Sequence, residues 1–140
     1  MKLSVIIPVY NELKTIEELI LKVKSVNLNL QIIVVDDFSN DGTREILKKK
    51  CTSYIDELIF HDQNLGKGAA IKSAQKKING DYVIIQDADL EYDPKDYEKM
   101  INQINGQNLK ALYGSRVLNK SLFENLQNFS HIIRILGNIF

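Results

Sequence analysis

Tyr82-Val83-Ile84-Ile85-Gln86-Asp87-Ala88-Asp89-Leu90-Glu91 is the stretch that decides the fold. Four apolar residues run straight into three carboxylates spaced two apart. A short apolar run rich in β-branched residues fits a strand buried on both faces, as in a parallel sheet. Alternate residues of extended chain point the same way. Asp87, Asp89 and Glu91 are therefore expected to converge just beyond that strand. Three carboxylates so close repel one another unless a cation lies between them. Oxygen donors select hard ions, and a divalent ion held by few protein ligands typically also grips substrate phosphates. The stretch predicts a site for Mg2+ or Mn2+ beside a nucleotide diphosphate.

Outward from it, β-branched runs alternate with helical patterns. Strands are predicted over 4–9, 31–36, 54–60, 82–86 and 111–113. Ile16, Leu19, Ile20 and Val23 follow helical spacing, and Thr15 with Glu18 reads as a capping box. Asp41 is placed to cap a helix running through Lys50. Ile71, Ala74 and Ile78 mark a third helix. Asp93-Pro94 reads as N-cap and first residue of a fourth, carrying Tyr97, Met100, Ile101 and Ile104, with Gly106 as its stop. A polar stretch over 119–125 precedes a last helix over 124–140, striped by Leu126, Phe129, Ile133, Leu136 and Ile139. That helix reaches the last residue without a cap, so the fold is expected to be incomplete at its C-terminal side. The alternation predicts one α/β domain over 1–140: an open, mostly parallel, Rossmann-like sheet with helices on both faces.

Composition narrows the function classes. The 18 basic and 18 acidic residues cancel, so no global basic field argues for nucleic acid. Cys51 is the sole cysteine, which excludes an internal disulfide and points to the reducing cytosol. Beside Lys48-Lys49-Lys50 it reads as a bland helix-end residue rather than a reactive thiol. The N-terminal run is too short and too β-branched for a signal peptide, and no run of about 20 apolar residues spans a bilayer. His61 and His131 lack partners at zinc-ligand spacing, and no Gly-x-Ser-x-Gly elbow supports a serine hydrolase. His61 is expected to shape its loop.

Ligands of open parallel sheets bind beyond the carboxyl ends of the strands, and polar residues gather there. The first strand ends in Pro8-Val9-Tyr10-Asn11-Glu12. The second ends in Asp36-Asp37-Phe38-Ser39-Asn40-Asp41-Gly42. Asp37 is expected to accept hydrogen bonds from a base or ribose, while Asp41 caps the next helix. Gly66-Lys67-Gly68 opens a helix, whose N–H groups with the Lys67 charge suit a diphosphate. The competing reading is that the glycines let the helix pack close to the sheet. Arg116, after Gly114-Ser115, is placed to grip a phosphate bidentately.

Together these residues resemble glycosyltransferase family 2, with the GT-A fold. The segments 4–12 and 33–43 resemble its opening strand and second strand, with Phe38 where Gly is common. Asn64-Leu65-Gly66-Lys67-Gly68-Ala69-Ala70, the acidic stretch through Pro94, and Gly114-Ser115-Arg116 resemble the dolichyl- and polyprenyl-phosphate mannose or glucose synthases. The resemblance implies that Pro8, Tyr10, Glu12, Asp37, Gly66, Lys67 and Asp87 hold the nucleotide. It implies that Asp87, Asp89 and Glu91 hold the metal, that Asp89 and Arg116 serve catalysis, and that Arg116 and Arg134 meet the acceptor phosphate. It further implies an inverting hexose transfer, in a single displacement, from GDP-mannose or UDP-glucose to a polyprenyl phosphate.

The carboxylates bear on the acceptor. A sugar hydroxyl must lose a proton as it attacks and usually needs a base, whereas a lipid phosphate is already anionic. After Glu98 the only carboxylate is Glu124. That favours the phosphate, although a chain ending early would produce the same shortage. Transfer to a saccharide hydroxyl, a truncated nucleotide-binding module and, more weakly, a nucleotidyltransferase remain the alternatives. The stripe of the last helix is read as core ahead of a peripheral contact with the cytoplasmic membrane face, because basic residues are few there.

Overall fold

The computed structural model describes residues 1–107 and 109–112. β1 (Leu3–Val9) is followed by α1 (Ile16–Lys24), β2 (Leu30–Asp36) and α2 (Thr43–Ile46). α2 continues as a π-helical turn, Leu47–Cys51, and a 3-10 turn, Thr52–Tyr54. β3 (Glu57–Phe60), α3 (Lys67–Gln75), β4 (Tyr82–Ile85) and α4 (Asp96–Gln107) complete the described chain. The four strands are all parallel, in the order β3-β2-β1-β4.

Period-two alternation divides the core. Leu3, Val5, Ile7 and Val9 of β1 face one side with Ile32, Val34 and Ile84. There they meet Ile16, Leu19, Ile20 and Val23 of α1 and Tyr97, Met100, Ile101 and Ile104 of α4. Ile6, Ile33, Val35 and Val83 face the other side, under Ala70 and Ala74 of α3. Each fully buried Ile or Leu contributes roughly 1.5–3 kcal/mol. Both faces are covered, which is why β1 and β2 read as unbroken apolar runs. At the amino edge Gly80 passes so close that an added Cβ would lie 2.7 Å from the Ser4 backbone nitrogen.

Several boundaries differ from expectation. β3 begins at Glu57, not at Tyr54, because the Thr52 hydroxyl donates to the carbonyls of Leu47 and Lys48 and prolongs the helical run through Tyr54. β4 stops one residue short of Gln86. Thr15 does not close a capping box. Its hydroxyl donates to the Glu12 carboxylate at 2.7 Å, and Glu18 pairs instead with Lys22. α4 runs past Gly106 to Gln107. Ala111 and Leu112 are not in a strand. Tyr113, Gly114-Ser115, Arg116, the polar stretch over 119–125, His131, Arg134 and the last helix lie outside the described residues. No helix among the described residues is long and apolar enough to cross a membrane.

Candidate active site

The carboxyl ends of the strands surround a cleft of about 240 Å3. It is lined by Pro8 and Val9 of β1, Tyr10 and Glu12 just after it, Asp37 just after β2, Lys67 and Ala70 from α3, and Asp87, Ala88 and Asp89 after β4. Seven of the residues singled out in the sequence therefore share one wall or mouth: Pro8, Tyr10, Glu12, Asp37, Lys67, Asp87 and Asp89. Tyr10 is 47% exposed, so much of it faces solvent.

The β1 and β2 tips are stitched to each other. The Asp37 N–H donates to the Val9 carbonyl at 2.8 Å and the Asn11 N–H to the Ser39 hydroxyl at 2.9 Å. The Glu12 N–H donates to the Thr43 hydroxyl at 2.9 Å. The N-cap of α2 is Gly42, not Asp41 as expected; Asp41, one residue earlier, accepts the Thr43 N–H at 3.0 Å and also the Leu13 N–H. Burial raises the Asp41 carboxyl, but these donors outweigh it and leave the group below its ordinary range.

Asp37 is 3% exposed and does structural work as well as lining the cleft. Its Oδ1 accepts the Leu65 N–H at 2.9 Å and contacts His61 Nδ1 at 2.7 Å. Its Oδ2 accepts the Gly66 N–H at 2.6 Å. A carboxylate offers about four lone-pair sites, so these three partners leave one. Burial pushes the Asp37 carboxyl up, but the Leu65, His61 and Gly66 donors together bring it below the usual carboxylate value.

Arg44 is a residue that sequence reasoning missed. It pairs with the buried Asp36, donates to the His61 carbonyl, and lies against the rings of Phe38 and Phe60 at 5.4 and 5.1 Å. Phe38 takes φ 68, a conformation costly for a bulky residue. Its contact with the guanidinium helps offset that cost. Nothing in the local pattern at Arg44 announces this role, because its partners come from β2 and β3.

α3 starts at Gly66, whose φ of +86 suits glycine. A Cβ at Gly66 or Gly68 would meet nothing within 4 Å. Close packing on the sheet therefore does not explain Gly68, and its open side is room for a ligand. The Lys67 ammonium pairs with the Asp87 carboxylate across the cleft.

The acidic turn departs from the expected extended geometry. The strand ends at Ile85, Ala88 and Asp89 lie in a turn, and Leu90 takes φ 63. Alternation no longer applies, so Asp87 and Asp89 line the cleft and Glu91 does not. Among the described residues no three His, Cys, Asp or Glu side chains gather as a ready-made metal site. Two cleft carboxylates still fit a hard divalent ion that takes its remaining oxygens from phosphates and water. The turn is held from behind. Gln86 donates to the carbonyls of Asp87 and Tyr92, and it accepts the Tyr97 hydroxyl of α4 at 2.6 Å. Tyr97 was legible only as part of an apolar stripe; the hydroxyl role was not.

Cys51 is buried. Burial and nearby Glu17 push its thiol up, against the opposing effect of Lys50. It is a packing residue, as the bland reading had it.

A cleft at the carboxyl edge of an open parallel sheet, lined by carboxylates and a helix-terminal lysine, defines an α/β protein of the strand-end ligand-binding class. The chain matches the model of glycosyl transferase family 2 over residues 4–136 and belongs to that family. It is 35% identical over 136 residues to the dolichol-phosphate mannosyltransferase of Pyrococcus furiosus, covering 95% of this chain and 38% of that protein. It is 33% identical over 107 residues to the undecaprenyl-phosphate 4-deoxy-4-formamido-L-arabinose transferase of Salmonella choleraesuis, covering 71% and 32%. The chain thus spans well under half the length of these curated relatives. Its fold is similar to that of the mannosyltransferase PcManGT of Pyrobaculum calidifontis, solved with GDP-Man and Mn2+. The TM-score is 0.77 at 22% identity, over 96% of this chain and 44% of that one. The open sheet is the GT-A arrangement.

Proposed function

We propose that the protein provides the donor site of an inverting transfer of hexose from GDP-mannose or UDP-glucose to a polyprenyl or dolichyl phosphate. The observation that carries this reading is the cleft itself. Asp87 and Asp89 line it together with Lys67, which pairs with Asp87, and with Tyr10, Glu12 and Asp37. The α3 N-terminus and Lys67 bind the diphosphate, since its first N–H groups lack partners within the helix. The remaining lone pair of Asp37 accepts from the base, Glu12 accepts from ribose hydroxyls, and Tyr10 offers its ring to the base.

Asp87 and Asp89 would hold Mg2+ or Mn2+, which neutralises charge on the departing nucleoside diphosphate. Ligand entry exchanges the Lys67–Asp87 pair: Lys67 turns to a phosphate and Asp87 is freed. In the transfer, a bond forms between the acceptor phosphate oxygen and the anomeric carbon as the bond to the nucleoside diphosphate breaks. The anionic acceptor needs no base. The names of the two curated relatives, both acting with a polyprenyl-type phosphate, support this acceptor. Arg116 and Arg134 are proposed for the acceptor phosphate, and contact with a membrane surface would follow from a lipid substrate.

The test is transfer of labelled hexose to a polyprenyl phosphate in detergent, with Asp89→Ala as the variant. Loss on the order of 10²–10³-fold is expected. Unchanged transfer together with unchanged metal-dependent nucleotide binding would overturn the assignment. Nucleotide binding without transfer would reduce the reading to a binding module.

A further inference from the structure

One buried titratable group takes no part in the proposed transfer. His61 follows β3 and is 8% exposed. Its Nδ1 lies 2.7 Å from Asp37 Oδ1, and its Nε2 lies 2.8 Å from the Ser73 hydroxyl of α3. Carboxylate, imidazole and hydroxyl in this order also make a hydrolytic triad. Here Ser73 sits within a helix and does not line the cleft, so the hydroxyl is not presented to a substrate there. The arrangement does something else.

An ionised carboxylate only accepts hydrogen bonds. The Nδ1 facing Asp37 therefore carries the proton, and Nε2 shares a hydrogen bond with the Ser73 hydroxyl. The ring is held from both ends, by β2 through Asp37 and by α3 through Ser73. It fixes the plane of the Asp37 carboxylate. In that plane Oδ1 meets the Leu65 N–H and Oδ2 meets the Gly66 N–H. Gly66 is the residue whose positive φ turns the chain into α3, and Lys67 comes next.

We propose that His61 is a positioning residue for the nucleotide-sugar site: by locking Asp37 onto the backbone of Leu65 and Gly66, it sets the N-terminus of α3 and Lys67 at the cleft. The ligand named here rests on the proposed function; the lock itself does not. The tests are His61→Ala and His61→Asn in the intact chain, read by amide exchange at Leu65 and Gly66 and by calorimetric binding of GDP and UDP with Mn2+. An Asn amide reproduces the Nδ1–H donor. His61→Ala is expected to speed exchange at both amides and to weaken binding, each by about tenfold, the worth of one buried hydrogen bond. His61→Asn is expected to restore most of both. Nitrogen NMR of the wild type is expected to show the Nδ1–H tautomer. Unchanged exchange in His61→Ala, or an Nε2–H tautomer, overturns the proposal. If the wild type binds neither nucleotide, the donor-site reading fails while exchange still decides the lock. If His61→Ala does not fold, His61→Asn is set against His61→Gln, whose amide mimics Nε2. Equal behaviour of those two overturns it.

Discussion

The two ends of the cleft are built differently. At the β1 and β2 tips, backbone and side chains cross-link three loops, through Asp37 to Leu65, Gly66 and His61 and through Asp41 to Leu13 and Thr43. At the β4 tip, Asp87 and Asp89 project from an exposed turn. Its support comes from behind, through Gln86 and Tyr97, and Asp87 faces Lys67 across the cleft. The tightly bonded end is preorganised, which suits the proposed docking of a rigid base and ribose with little reordering. On the proposed function, the acidic end is completed by charge that arrives with the ligand. A nucleotide diphosphate has this same division, rigid at the base and highly charged at the phosphates.

The largest effect should separate the two ends by stability. Asp37→Ala leaves two part-buried N–H groups and the buried His61 without their acceptor, and is expected to lower unfolding free energy by roughly 3 kcal/mol. Asp89→Ala, on the exposed turn, should stay within about 0.5 kcal/mol of wild type. Urea titration of both variants checks this, and equal losses would erase the distinction.

Acid sharpens the same contrast. The folded Asp37 carboxyl lies below its unfolded value. Its contribution is therefore fully present above the unfolded value, near pH 4, and is lost as pH falls through the lower folded value. Urea midpoints measured downward from pH 5 should fall for the wild type and fall less steeply for Asp37→Asn.

The smallest effect concerns Gly68. Open space around its Cβ position means that Gly68→Ala should leave stability unchanged or raise it by up to about 1 kcal/mol, from helix propensity. Nucleoside diphosphate binding should nevertheless weaken, because the methyl group enters the proposed phosphate space. Unaltered binding would remove the glycine from the site.

Much of this was legible locally. β1, β2 and β4 stood out because both faces of the sheet are buried, so nearly every residue had to be apolar. β3 was less legible at its start, because a Thr52 hydroxyl bonding back to helix carbonyls leaves no mark in hydrophobic pattern. The cleft residues were found because strand ends concentrate ligands in this class of sheet. The convergence of three carboxylates was wrong in detail: alternation holds only while the chain stays extended, and Leu90 turns it away.

The sequence by itself determined the α/β alternation, the parallel sheet, the family and the segments that meet at one edge, because periodicity and strand-end chemistry are properties of short stretches. Only the tertiary structure decided that Asp37 anchors a loop, that Arg44 neutralises Asp36, and that Lys67 meets Asp87. Those contacts join residues 8 to 29 positions apart, and their geometry is set by how strands and helices pack.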